Sequence, residues 1–204
     1  MSDPVPTLRD PGHGWARALL RLAGWRVRYD GTPPGCGVVI AYPHTSNWDF
    51  VVGIVTVWAV GIPLAFLGKD SLFRIPVLGW LMRRWGGIPV DRQQASGLID
   101  TMAARLRASN AVGERWWLAM APEGTRRRED AWRSGFYHIA AQAGVPIGLA
   151  YFNFAAREIG VAGFIQPSGD AAADLRRIEA FYDGHARGLR PECAAPVRFR
   201  DPAV

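Results

Sequence analysis

The sequence predicts an α/β fold: a mixed, largely parallel sheet flanked by helices, in one domain over residues 1–204. Three observations carry this. Short apolar runs alternate with helical periods along the whole chain. One run, GVVIAYP, is apolar without alternation, as a strand covered on both faces is. With 49% hydrophobic and 21% charged residues, the 204-residue chain has enough apolar surface for a core and is too apolar for intrinsic disorder.

The elements follow in order. Residues 13–23 place Trp15, Leu19 and Leu22 on one side of a helix and Arg17 and Arg21 on another. Residues 1–24 are therefore a possible membrane-surface helix, and packing on the domain's own core fits the pattern equally well. Trp25, Val27 and Tyr29 then alternate with Arg26, Arg28 and Asp30 in strand period. The buried strand GVVIAYP ends at Pro43. Thr45, Ser46 and Asn47, all good N-cap types, precede a helix from about Trp48 to Val60. The apolar stretch Phe50 to Leu67 resembles a membrane span, but Gly61-Ile62-Pro63 interrupts it, leaving a buried helix and a strand from Leu64 to Leu67.

Beyond Lys69, PVLGWLMRRW predicts a helix and GIPVD a strand. Leu98, Met102 and Leu106 mark one face of a helix from about Ala95 to Ala108. The strand WWLAM leads into the polar loop PEGTRRREDAWRS. Helix GFYHIAAQA, strand VPIGLAYF, a strand near Ile159 to Ile165 and a helix from Ala171 to His185 complete the order. Residues 188–204 have little periodicity and are expected to form an irregular tail.

Composition narrows the function classes. Two cysteines, with no C-x-x-C and no Cys/His cluster, offer neither a disulfide framework nor a metal-ligand set, so no metal is expected. The N-terminus lacks an apolar core behind a basic start, which argues for a protein of the cytoplasmic side. A net charge of +6 suits phosphate-bearing partners without choosing among them. Nine tryptophans suit a bilayer interface. Lys69 is the only lysine; the preference for Arg elsewhere also follows from coding-base composition.

Four segments could carry chemistry. In HTSNWD, His44 and Asp49 would diverge by about 140° on a continuous helix. They meet only if His44 lies in the strand-to-helix turn and Asp49 in the first helical turn. An Asp against one imidazole nitrogen makes the other a competent base; the plainer alternative is an Asp that only complements the helix dipole. In PEGTRRR, Gly124 lets backbone approach a ligand, Thr125 offers a hydroxyl and Arg126 a planar fork for phosphate, although a solvated charge run has the same look. GGIPVDR ends a strand on Arg92, which Asp91 alone would explain. Val145-Pro146-Ile147 taken singly is core.

In this order and spacing the four segments resemble those of the glycerophospholipid acyltransferases, the lysophosphatidic acid acyltransferase (PlsC-like) family with its H(x)4D and EGTR motifs. The resemblance runs from about Val38 to Leu149. His44 and Asp49 match its catalytic motif, Gly87 to Arg92 its second block, Pro122 to Arg126 its third and Val145 to Ile147 its fourth. Ala121 stands where the family usually has an aromatic residue.

The resemblance implies acyl transfer from acyl-CoA or acyl-carrier protein, as donor substrate, to the hydroxyl of a lysolipid, with no cofactor, no metal and no covalent acyl-enzyme. It implies His44 as general base, Asp49 as its orienting partner, and an acceptor-phosphate site drawn from Arg92, Glu123, Gly124, Thr125, Arg126 and Lys69. The default acceptor is 1-acylglycerol-3-phosphate; a lyso-aminolipid or a glycolipid is the alternative. A catalytically idle lipid-binding module of the same fold is the competing class. A nucleic-acid partner is not expected, because the basic residues form no stripe.

An acceptor that lives in a bilayer implies peripheral or monotopic attachment to the cytoplasmic face of the membrane. The expected docking surfaces are the first helix, with Trp15, Arg17, Leu19 and Arg21, and WLMRRW, with Trp80, Arg83, Arg84 and Trp85.

Overall fold

A computed structural model of the chain describes residues 7–90 and 97–200. Seven strands form one sheet: β1 (Arg26–Tyr29), β2 (Gly37–Tyr42), β3 (Leu64–Lys69), β4 (Gly87–Val90), β5 (Trp117–Met120), β6 (Ile147–Asn153) and β7 (Glu158–Ile165). Their order across the sheet is β1-β7-β6-β2-β5-β3-β4. All neighbours are parallel except β6 and β7, so β1 and β7 run against the other five. The expected mixed, largely parallel sheet is the one observed.

Strand β2 shows why its sequence is apolar without alternation. Val38 and Ile40 join Leu118, Ile147 and Leu149 in a core on one face. Val39 joins Trp117, Val60 and Ile62 on the other. Successive side chains leave a strand on opposite sides, so a strand covered twice needs apolar residues at every position. Helices α5 (Leu98–Ala111), α6 (Gly135–Ala143) and α7 (Ala171–His185) cover the first face with Leu106, Ile139 and Ile178. Helices α1 (Gly14–Leu22) and α2 (Asn47–Val60) cover part of the second through Ala16, Leu20, Val52 and Ala59. Two further helices, α3 (Asp70–Phe73) and α4 (Pro76–Arg84), lie between β3 and β4 in the chain; α3 has no counterpart in the periodic pattern. The expected start of the fifth helix at Ala95 lies outside the described residues.

Both proposed docking elements form, with two corrections. Arg17 donates its Nε–H to the Ala59 carbonyl at 2.9 Å and an Nη–H to that of Pro11, so its guanidinium is committed to the protein. The Trp85 ring packs edge-on to Trp58 at 5.4 Å and faces Phe50, inside the helix layer. What α1 does expose is an apolar stripe, Trp15, Leu19 and Leu22, the last 87% exposed. Val77 and Trp80 on α4 and Trp48 on α2 are exposed as well. No helix among the described residues is long and apolar enough to cross a membrane.

Candidate active site

In a parallel sheet, binding loops gather where the strands end. Two of the four singled-out segments do so here. His44 follows β2, Pro122 to Arg126 follow the adjacent β5, and Lys69 closes β3; Val145 and Pro146 instead precede β6 at the opposite end of the sheet, and Arg92 lies outside the described residues.

Local sequence shapes the first loop. Ser46 is the N-cap of α2: its hydroxyl accepts the Trp48 N–H at 3.1 Å, while Asp49, three positions on, closes a capping box. Asp49 Oδ2 accepts the N–H groups of Thr45 and Ser46, each at 2.7 Å, and Oδ1 accepts the Ser46 hydroxyl at 2.9 Å. These bonds hold a fully buried carboxylate with its oxygens turned toward the strand end. There Asp49 Oδ2 lies 3.4 Å from Nδ1 of His44, whose side chain retains 19% exposure. The turn-then-helix arrangement expected from the spacing is the one present. A carboxylate sealed from water beside a ring that solvent still reaches is the arrangement that lets the far nitrogen, Nε2, meet a substrate.

The second loop arrives from below. Glu123 is buried, and its carboxylate spans the site: Oε2 accepts the His44 N–H at 2.5 Å and Oε1 the Ala195 N–H at 2.9 Å. Burial pushes the Glu123 carboxyl up to about 7; the two N–H bonds pull it back, and the Asp49 charge adds to the rise. With its oxygens occupied in this way, Glu123 serves as a strut between loops rather than as a ligand for an anion. Gly124 adopts φ +70°, the left-handed region, where an added Cβ would also stand 2.8 Å from Arg133 Nε. The Thr125 hydroxyl accepts the Arg127 N–H at 3.3 Å. Arg126 reaches back across the site, its Nε–H donated to the Ser46 carbonyl at 3.1 Å. Among the described residues no hydrogen bond engages Nη1 or Nη2 of Arg126.

The fold thus brings His44, Asp49, Glu123 and Arg126 together on two adjacent strand ends, with Gly124 and Thr125 in the turn between. Lys69 is exposed at the same edge, two strands from β2. Residues 188–200, the described part of the tail expected over 188–204, are irregular apart from the 3-10 turn Pro191–Cys193, but they are tied to the site. Arg190 bonds to the Thr45 carbonyl, Ala195 to Glu123, and the Tyr42 hydroxyl to the Ala195 carbonyl at 2.9 Å. Burial, with the Glu123 charge behind it, pushes the Tyr42 hydroxyl up to about 12. Nothing in the tail's composition marks these contacts, because they use one arginine and backbone groups. Among the described residues no three His, Cys, Asp or Glu side chains gather as a metal-ligand set would.

Comparisons with known proteins agree with this geometry. The family profile described as Acyltransferase matches residues 26–148, which include β1 to β5, α6 and both motif loops. The 1-acyl-sn-glycerol-3-phosphate acyltransferase of Salmonella typhimurium is 34% identical over 143 residues, 67% of this chain and 56% of that one. The chloroplastic 1-acyl-sn-glycerol-3-phosphate acyltransferase BAT2 of Brassica napus is 30% identical over 107 residues, 51% of this chain and 30% of that one. This chain therefore spans only part of the curated relatives it matches. The crystal structure of the 1-acyl-sn-glycerophosphate (LPA) acyltransferase PlsC from Thermotoga maritima shares the fold at a TM-score of 0.57, with 16% identity, covering 83% of this chain and 74% of that one. A profile that takes in more than half of the sequence, both motif loops included, makes the chain a member of the acyltransferase family.

Proposed function

We propose that the chain transfers a fatty acyl group from a thioester donor, acyl-CoA or acyl-carrier protein, to the hydroxyl of a lysophospholipid at a membrane surface, with 1-acylglycerol-3-phosphate as the default acceptor. The observation that carries this is the placement of the His44–Asp49 pair beside Arg126 on neighbouring strand ends. His44 Nε2 takes the proton of the acceptor hydroxyl as the oxygen attacks the thioester carbonyl. The C–S bond then breaks, and the leaving thiolate takes the proton back from the imidazolium that Asp49 has stabilised. Arg126 Nη groups, with Lys69 at the end of β3, hold the acceptor's phosphate as charged donors, a role the family resemblance also gives to Arg92. The names of the relatives support this acceptor class.

Attachment to the cytoplasmic face of a membrane belongs to the same reading. The exposed stripe of Trp15, Leu19 and Leu22 supports it, since water alone gives three large apolar side chains on one helix face no reason to stay exposed. Thiol release from acyl-CoA, measured with and without lysophosphatidate, is the test. Acceptor-dependent release supports transfer. Lipid binding without release leaves an idle binding module and overturns the enzyme reading.

A further inference from the structure

The Thr45–Ser46 peptide unit is gripped at both ends. Its N–H goes to Asp49 Oδ2, the oxygen that faces the His44 ring. Its C=O goes to Arg190, which donates Nε–H at 2.8 Å and also an Nη2–H to the same oxygen. The Nη2 group further reaches the Arg126 carbonyl at 3.4 Å, and the Arg190 backbone N–H meets the Thr45 hydroxyl at 3.3 Å. Thr45 is wholly buried, so its own carbonyl and hydroxyl oxygens have no water to turn to. Gly188 lets the tail come this close: a Cβ there would stand 2.9 Å from the Thr45 hydroxyl.

We propose that Arg190 is a positioning residue for the reaction: its guanidinium clamps the loop after β2 to the loop after β5, so that Asp49 stays aimed at His44 and Arg126 stays at a fixed distance from both. Arg190 lies beyond residues 26–148, the part matched by the family profile. The clamp works through geometry, not charge on the substrate. A planar fork can hold one carbonyl with two N–H groups and still reach a second, which a lysine ammonium on a flexible stem does less well.

The rate effect rests on the acyl-transfer reading; the clamp itself does not. Arg190→Ala is expected to lower kcat by about ten- to a hundred-fold, the scale of an ångström-level misplacement of reacting groups, with acceptor KM changed much less. Arg190→Lys should recover part of the loss, and both variants should melt close to wild type. Amide hydrogen exchange at Thr45 and Ser46 should quicken in both, more in Arg190→Ala. An unchanged kcat in Arg190→Ala, full activity in Arg190→Lys, or a rate loss that only tracks the folded fraction would each overturn the proposal. If Arg190→Ala does not fold, Arg190→Lys decides by the same kcat and exchange readings. If the wild-type protein itself shows no acceptor-dependent thiol release, the functional reading fails, and unchanged exchange at Thr45 and Ser46 would still sink the clamp.

Discussion

Arg126 donates its Nε–H to the carbonyl of Ser46, 80 residues earlier in the chain, at 3.1 Å. The bond ties the loop that carries the proposed phosphate ligand to the loop that carries the proposed base. One edge of the guanidinium sets its own position, which leaves the Nη edge for an anion. In the proposed reaction, the span between acceptor phosphate and acceptor hydroxyl would be set by this bond.

Replacement of His44 by alanine should lower acyl transfer by roughly 10²- to 10⁴-fold while the protein stays folded, since the ring makes no bond the core depends on. Asp49→Asn should be severe too, because an amide can hold the ring in the wrong tautomer. Wild-type turnover by a folded His44→Ala protein would end the general-base assignment.

If Arg126 is the proposed charged donor to the acceptor, Arg126→Ala should cost roughly 1.5 to 3 kcal/mol, or about ten- to a hundred-fold in acceptor use. Basal acyl-CoA hydrolysis should suffer less. The comparison that decides is between phosphorylated and phosphate-free acceptors: an equal loss against both would show that Arg126 acts only through Ser46.

Glu123 should leave its mark on stability. Its carboxyl titrates at about 7 in the folded protein against an ordinary 4.5, so the folded state binds the proton more tightly than the unfolded chain. Its contribution is fully present below about 4.5 and is lost as pH rises through about 7, by roughly 3 kcal/mol in all. Urea melts at pH 5 and pH 8 should reveal the decline, and Glu123→Gln should flatten it. A wild-type profile without that slope would refute the burial argument.

The membrane face is open to a direct test on anionic vesicles. Replacing Trp15, Leu19 and Leu22 with glutamine removes side chains that each contribute about 1.5 to 3 kcal/mol when fully buried in an apolar phase. Cosedimentation should fall at least tenfold; thermal stability should change little on replacing Leu22, which faces solvent, and more on replacing Trp15, whose ring packs 5.4 Å from that of Trp58. If the triple variant binds vesicles as wild type does, docking belongs to another surface, with Val77 and Trp80 on α4 the next to vary.

Gly124→Ala should cost about 1 to 2 kcal/mol for a left-handed backbone with a Cβ. The crowding against Arg133 adds to this. Thermal melting reads the cost, and a raised KM for the acceptor would place the strain in the phosphate-binding turn. Unaltered melting would mean the turn relaxes freely.

Much of this protein was legible along the chain because much of it is local. The unbroken apolar run of β2 announced burial on both faces, and the two-residue alternation of β1 announced a strand. Helices α6 and α7 begin and end where the periodicity does, and the cap residues before α2 placed His44 and Asp49 in their turn-then-helix relation. Tertiary structure decided what lies across the sheet. Arg126 meets Ser46 because β5 lies beside β2, a neighbour relation that no spacing between them encodes. Arg17 and Trp85 carry the same amphipathic signature as their neighbours but are held by α2, which presents the Ala59 carbonyl to the still-exposed Arg17 and the Trp58 ring to the half-buried Trp85. Arg190 reaches Thr45 across 145 residues from a tail without period. Periodicity reports which way a side chain points from its own element; which group waits there depends on the order of the strands and the path of the tail, and those are set by the packing of the whole chain.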